Sequence, residues 1–177
     1  MPSAILASMI GLGAFGAAEE AGISGPLTAT KVHELIDSVG PRTAIRQLFE
    51  SRELEKAVIN GIATGGAGWL RVAERLEPGS DGAAGEGLVI AIQEALPKNP
   101  SGVLSLVHRG TFHVVHACGG YGFGQIEDER PIPVLLELVD KRIEAVRALR
   151  DPQLAEEQQA CVETLGNVRS VLESLQR

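Results

Sequence analysis

The chain has 177 residues and a formal net charge of −7, and it is 44% hydrophobic but only 3% aromatic. That length suits one domain with a core of its own. The acidic balance excludes the basic face that nucleic acid or an anionic membrane surface demands. With so few aromatics the core must be built from Leu, Val, Ile and Ala, which suits packed helices better than a β-sandwich.

The opening segment, Met1 to Ala18, contains no charged residue, and Glu19-Glu20 follow at once. It is rich in Ala and Gly and too short to anchor stably across a bilayer. Residues 1–18 therefore read as a secretory leader or its remnant, and residues 19–177 as a single helical domain. The basic start usual in a leader is missing, because no Lys or Arg precedes Lys31. Within the segment, Gly11-Leu12-Gly13-Ala14-Phe15-Gly16 spells the dinucleotide fingerprint G-x-G-x-x-G. That pattern needs a strand, a glycine turn and a helix, with an acid at the next strand. Asp37 lies at a suitable distance, but residues 31–37 have helical spacing, so the nucleotide reading is set aside. No second apolar stretch is long enough to span a membrane, and no integral membrane protein is expected.

Downstream, helical spacing recurs almost everywhere. Thr28 or Thr30 caps a helix through Val32, Leu35, Ile36 and Val39, which Gly40-Pro41 ends. Pro41 opens a second helix with Ile45, Leu48 and Phe49 on one face. Ser51 caps a third, expected to run from Leu54 through Val58 and Ile62 to Leu76 despite the glycines at 65, 66 and 68. Pro78-Gly79-Ser80-Asp81 makes a turn, with Ser80 or Asp81 capping a helix that buries Leu88, Val89, Ile92, Ala95 and Leu96. Ser101 is expected to cap a short helix holding Val103, Leu104, Leu106 and Val107. Residues 112–117 fit helix or strand. Pro131 or Pro133 begins a long helix ending at Asp151-Pro152, and a last helix carries Cys161, Leu165, Val168 and Leu172. The fold class is all-α, an irregular bundle of about six to eight helices.

Candidate chemistry is sparse. His108, His113, His116 and Cys118 lie close in sequence, and imidazole with thiolate suits Zn²⁺. Neither a helical nor an extended backbone gathers all four on one face. Cys118 and His116, two residues apart, are poorly placed for a thiolate–imidazole pair. No cofactor motif and no nucleophile elbow occur. Glu19-Glu20, Glu127-Asp128-Glu129 and Glu156-Glu157 read as solvated carboxylates. The glycine-rich stretch from Gly119 to Gly124 carries Tyr121 and Phe123, and aromatics of this kind are enriched at interfaces. With Glu127, Asp128 and Glu129 beside it, it reads as an interaction loop suited to a basic protein partner. The two cysteines, Cys118 and Cys161, form one disulfide if the compartment is oxidising.

An ordered set of short motifs runs through the middle of the chain. It comprises Trp69-Leu70-Arg71-Val72-Ala73, Ser80-Asp81-Gly82-Ala83, Asn99-Pro100, Cys118, Arg147-Ala148-Leu149-Arg150-Asp151-Pro152 and Cys161. Over residues 55–165 this resembles a group of small, uncharacterised exported all-α proteobacterial proteins. The resemblance implies an exported chain with structural rather than catalytic shared residues, and it brings no activity. The glycine-rich stretch after Cys118 departs from it, since a proline-containing segment is more usual there. The expectation is a periplasmic or secreted, non-catalytic binding protein, most concretely an immunity-type inhibitor of a secreted toxin or cell-wall hydrolase. The alternatives are an exported structural or accessory protein with no toxin partner, and a metal-dependent enzyme using His108, His113 and His116.

Overall fold

In the structure, a computed structural model describing residues 25–119 and 130–176, the helix starts follow local chemistry. Thr28 caps α1 (Ala29–Val39), its hydroxyl oxygen accepting from the Lys31 amide at 3.3 Å. Gly40, at φ +75°, turns the chain, and Pro41 opens α2 (Pro41–Glu50). Ser51 caps α3 (Arg52–Ala63) by accepting from the Leu54 amide.

The long third helix expected through to Leu76 is two helices. α3 ends at Ala63, and α4 runs Ala67–Leu76. The break lies at Gly65, whose φ of +74° favours glycine. Its carbonyl accepts from Asn99 Nδ2 at 2.7 Å, and the Ala63 carbonyl accepts from Lys98 Nζ at 2.6 Å. Side chains from a distant turn thus satisfy orphan carbonyls at the end of α3. The chain then enters a one-turn 3₁₀ helix (Glu77–Gly79) and α5 (Gly82–Ala95). Asp81 occupies the N-cap of α5 without a side-chain bond, and Ser80 donates to the Glu77 carbonyl at 2.8 Å.

The cap of α6 (Pro100–His108) also departs from expectation. Asn99, not Ser101, caps it, Oδ1 accepting from the Gly102 amide at 2.9 Å. Asn99 therefore serves α6 with one end of its amide and the α3–α4 turn with the other. Asn99→Ala is expected to lower stability by about 2 kcal/mol, because a cap and a second buried-side bond are lost together. A urea titration that places the variant within error of the parent contradicts this double role.

Residues 112–117, open between helix and strand, include the start of a short helix, α7 (Val114–Cys118). His113 caps it, Nδ1 accepting from the Val115 amide at 3.3 Å. α8 (Ile132–Ala148) follows Pro131, and α9 (Ala155–Leu175) follows a 3₁₀ turn at Pro152–Leu154. Among the described residues there are nine α-helices and no strand, an all-α bundle. The excess over the expected number comes from the Gly65 break and from α7.

Helices α1 to α4 pack with α5 at one end of the sequence order, and α6 to α9 continue the same body. α8 and α9 lie antiparallel, since Gln158 Nε2 donates to the Val146 carbonyl at 2.7 Å and Arg169 Nε reaches Asp140 at 2.8 Å. The buried side chains form one cluster from Val32 in α1 to Leu172 in α9. Leu48, Ile62, Leu76, Leu88, Ile92, Leu96 and Leu104 are fully buried, so the core is aliphatic, as the composition demands. One buried cation, Arg142 on α8, has its pKa pulled down to about 10 by burial, with Arg130 adding to the shift and Glu94 opposing it. No helix among the described residues is long and apolar enough to cross a membrane.

Candidate functional site

α7 is held from two sides. Cys118, at its end, sits at disulfide-bonding distance from Cys161 of α9, Cα–Cα 5.5 Å, and both are fully buried. Gln93 of α5, 1% exposed, donates Nε2 to the His116 carbonyl at 2.7 Å. A five-residue helix is marginal alone, so these two ties fix its position against α5 and α9.

Between α7 and the amino half of α5 lies a groove of about 440 Å³. Along α5 its wall is Gly82, Gly85, Glu86 and Val89, which share one face at helical spacing. The 3₁₀ turn contributes Glu77 and Ser80, and the approach to α7 contributes Thr111, Phe112, His113 and His116. The His113 and His116 rings are 5.9 Å apart, tilted at 60°. Val89 and Phe112 are almost fully buried and make an apolar floor. The arrangement offers carboxylates, imidazoles and hydroxyls over a greasy base. It suits binding of a small polar or cationic group.

The groove brings together two of the three candidate histidines. His108 goes elsewhere: its Nδ1 meets Glu157 Oε1 of α9 at 2.8 Å. The metal reading of His108, His113 and His116 is therefore not assembled. Among the described residues no group of three His, Cys, Asp or Glu side chains is gathered, and Cys118 faces Cys161 at disulfide-bonding distance rather than the histidines. The interaction-loop residues Tyr121, Phe123, Glu127, Asp128 and Glu129 lie outside the described residues, as do the leader segment and its glycine fingerprint.

No protein-family model, curated protein or solved structure matches the chain. The site is thus read from its own chemistry.

Glu157, expected to be solvated, is a correction. Its side chain is only 16% exposed, and Oε2 is buried without a hydrogen-bond partner among the described residues. The hydrogen bond from His108 holds its carboxyl below the usual carboxylate range. A carboxyl lowered in the folded state stabilises above its unfolded value, about pH 4.3, and that stability fades as pH falls through the lower folded value. Glu157→Gln is expected to flatten the loss of stability below about pH 4.3. Urea midpoints taken between pH 7 and pH 3 read this directly, and a parallel acid limb in parent and variant contradicts it.

Sequence reasoning missed Glu77, Ser80, Glu86, Thr111 and Phe112 as groove residues. The repeat Gly82, Gly85-Glu86, Val89 was the available signal: small residues on one helical face beside an acid leave room where a neighbour packs.

Proposed function

We propose that the protein is an exported, non-catalytic binding protein working in the periplasm or outside the cell, with a basic protein as partner. The observation that carries this is the buried Cys118–Cys161 pair at bonding distance. Paired cysteines of this kind belong to oxidising compartments, and the uncharged opening segment is consistent with export. The most concrete version is an immunity-type inhibitor that blocks a secreted toxin or a cell-wall hydrolase. The mixed groove between α5 and α7, with Glu77 and Glu86 in its lining, supports a binding role. The net charge of −7 favours encounter with a basic surface.

Affinity capture from a periplasmic extract tests the reading. The expected result is one predominant basic protein, retained at low salt and released as salt rises. Recovery of no partner contradicts it. A gene deletion that leaves protection unchanged in competition assays favours the accessory-protein alternative.

A further inference from the structure

Resting on the protein-binding reading, we infer that the Cys118–Cys161 pair is a redox latch for the groove between α5 and α7. Joining the cysteines after export seats α7 and completes the groove; in the dithiol chain α7 stays undocked and the groove lacks one wall. That wall is His113 and His116, with Thr111 and Phe112 on the approach. The opposite wall, Gly82, Gly85 and Val89 among its residues, lies on α5, a helix of 14 residues that forms without this help.

Burial gives α7 little hold of its own. It has five residues, far short of the about 12–15 that make even a marginal isolated helix. Its buried side chains, Ala117 and Cys118, are small, and Val115 is 42% exposed. Apolar anchoring scales with the area removed from water, and here that area is slight. Phe112, buried just ahead of α7, anchors the approach rather than the helix. The Gln93 bond to the His116 carbonyl orients α7 against α5, but a neutral hydrogen bond exchanges readily with bonds to water. The pairing with Cys161 adds a covalent hold, joining the last residue of α7 to α9, a helix of 21 residues.

Access sets the order of events. Cys118 and Cys161 are fully buried in the folded chain, beyond reach of a protein oxidant, so the bond forms before α7 docks. The oxidant is a protein disulfide of the exporting compartment. One cysteine thiolate attacks it, forming a mixed disulfide and releasing the oxidant's first thiol. The second cysteine thiolate then displaces the other thiol. The chain thereby loses two electrons and two protons, and the oxidant leaves as a dithiol. Once α7 is docked, the same burial shields the bond from reductants, so the latch sets once. Cytosolic reductants keep such cysteines as thiols, and the groove is completed only after export.

The test refolds the full chain from denaturant with glutathione disulfide or with a phosphine reductant, and compares backbone chemical shifts. In the oxidised chain residues 113–118 should show helical shifts. In the dithiol chain those residues should move to random-coil values, while residues 82–95 and the helical circular dichroism of the rest are kept. Cys118→Ala/Cys161→Ala should reproduce the dithiol pattern, and Gln93→Ala in the oxidised chain should leave α7 docked. Helical shifts at 113–118 in both the dithiol chain and the alanine pair overturn the latch. So does loss of the whole fold in both, which would make the pair a general staple, and so does release of α7 by Gln93→Ala with the bond intact. Each of these outcomes leaves the protein-binding reading standing, since affinity capture tests that reading separately.

Discussion

Cys118→Ala is expected to lower the free energy of unfolding by about 4 kcal/mol relative to the oxidised parent. The two cysteines are 43 positions apart in sequence. Cross-linking over that distance removes loop-closure entropy from the unfolded chain, and the chain-entropy relation gives about 4 kcal/mol for such a loop. Against a typical net stability of about 5–15 kcal/mol this is a major share. In a domain of this size the melting temperature should fall by about 8–16 °C. Local effects should be larger still around α7. That helix has five residues, and the Cys118–Cys161 pairing ties it to α9 while Gln93 ties it to α5. Hydrogen exchange should accordingly accelerate most at Val115–Cys118. Thermal melts of parent and variant under non-reducing conditions measure the first effect. A variant melting within about 2 °C of the parent, which corresponds to under 1 kcal/mol, contradicts it.

Gly79→Ala is expected to cost about 3 kcal/mol, at the upper end for overpacking. A Cβ there would lie 2.5 Å from Arg42 N and 2.6 Å from Pro41 C. Both are backbone atoms in the first turn of α2, so neither can rotate aside. The 3₁₀ turn would have to lift from α2, disturbing Leu76, the fully buried residue that precedes it. Gly61 makes an instructive contrast. A Cβ at Gly61 would press on the Trp69 ring, a partly buried side chain rather than backbone. Alanine also gains about 1 kcal/mol of helix propensity over glycine in α3. Gly61→Ala should therefore cost clearly less than Gly79→Ala. Urea denaturation of the two variants side by side gives the ordering, and a reversed order contradicts the packing of the turn on α2.

Much of the helical layout was legible because its signals are local. Thr28, Pro41 and Ser51 act where the sequence puts them, and the apolar spacing of Ile45, Leu48 and Phe49 needs no tertiary partner to be read. Failures occurred where a distant residue decides the outcome. Glycines at 65, 66 and 68 are compatible with a weak helix or a break. The choice falls to Asn99 and Lys98, which satisfy carbonyls there from more than thirty residues away. The same side chain explains the misplaced cap of α6, since Ser101 and Asn99 are both competent caps in isolation. Glu156-Glu157 looked uniformly solvated because adjacency says nothing of the His108 that meets one of them. The groove was legible only as a helical repeat of small residues in α5. Its opposite wall comes from the 3₁₀ turn and from α7, whose position depends on Cys161 and Gln93.

The proposed role requires export from the cytoplasm and the joining of Cys118 to Cys161. Intact mass spectrometry of the protein recovered from the periplasm or medium of a native-like host tests this most directly. The predicted result is a chain shortened by its opening apolar segment and lighter by two hydrogens, with both cysteines inert to alkylation before reduction. A full-length chain confined to the cytoplasm with two alkylatable thiols would contradict it.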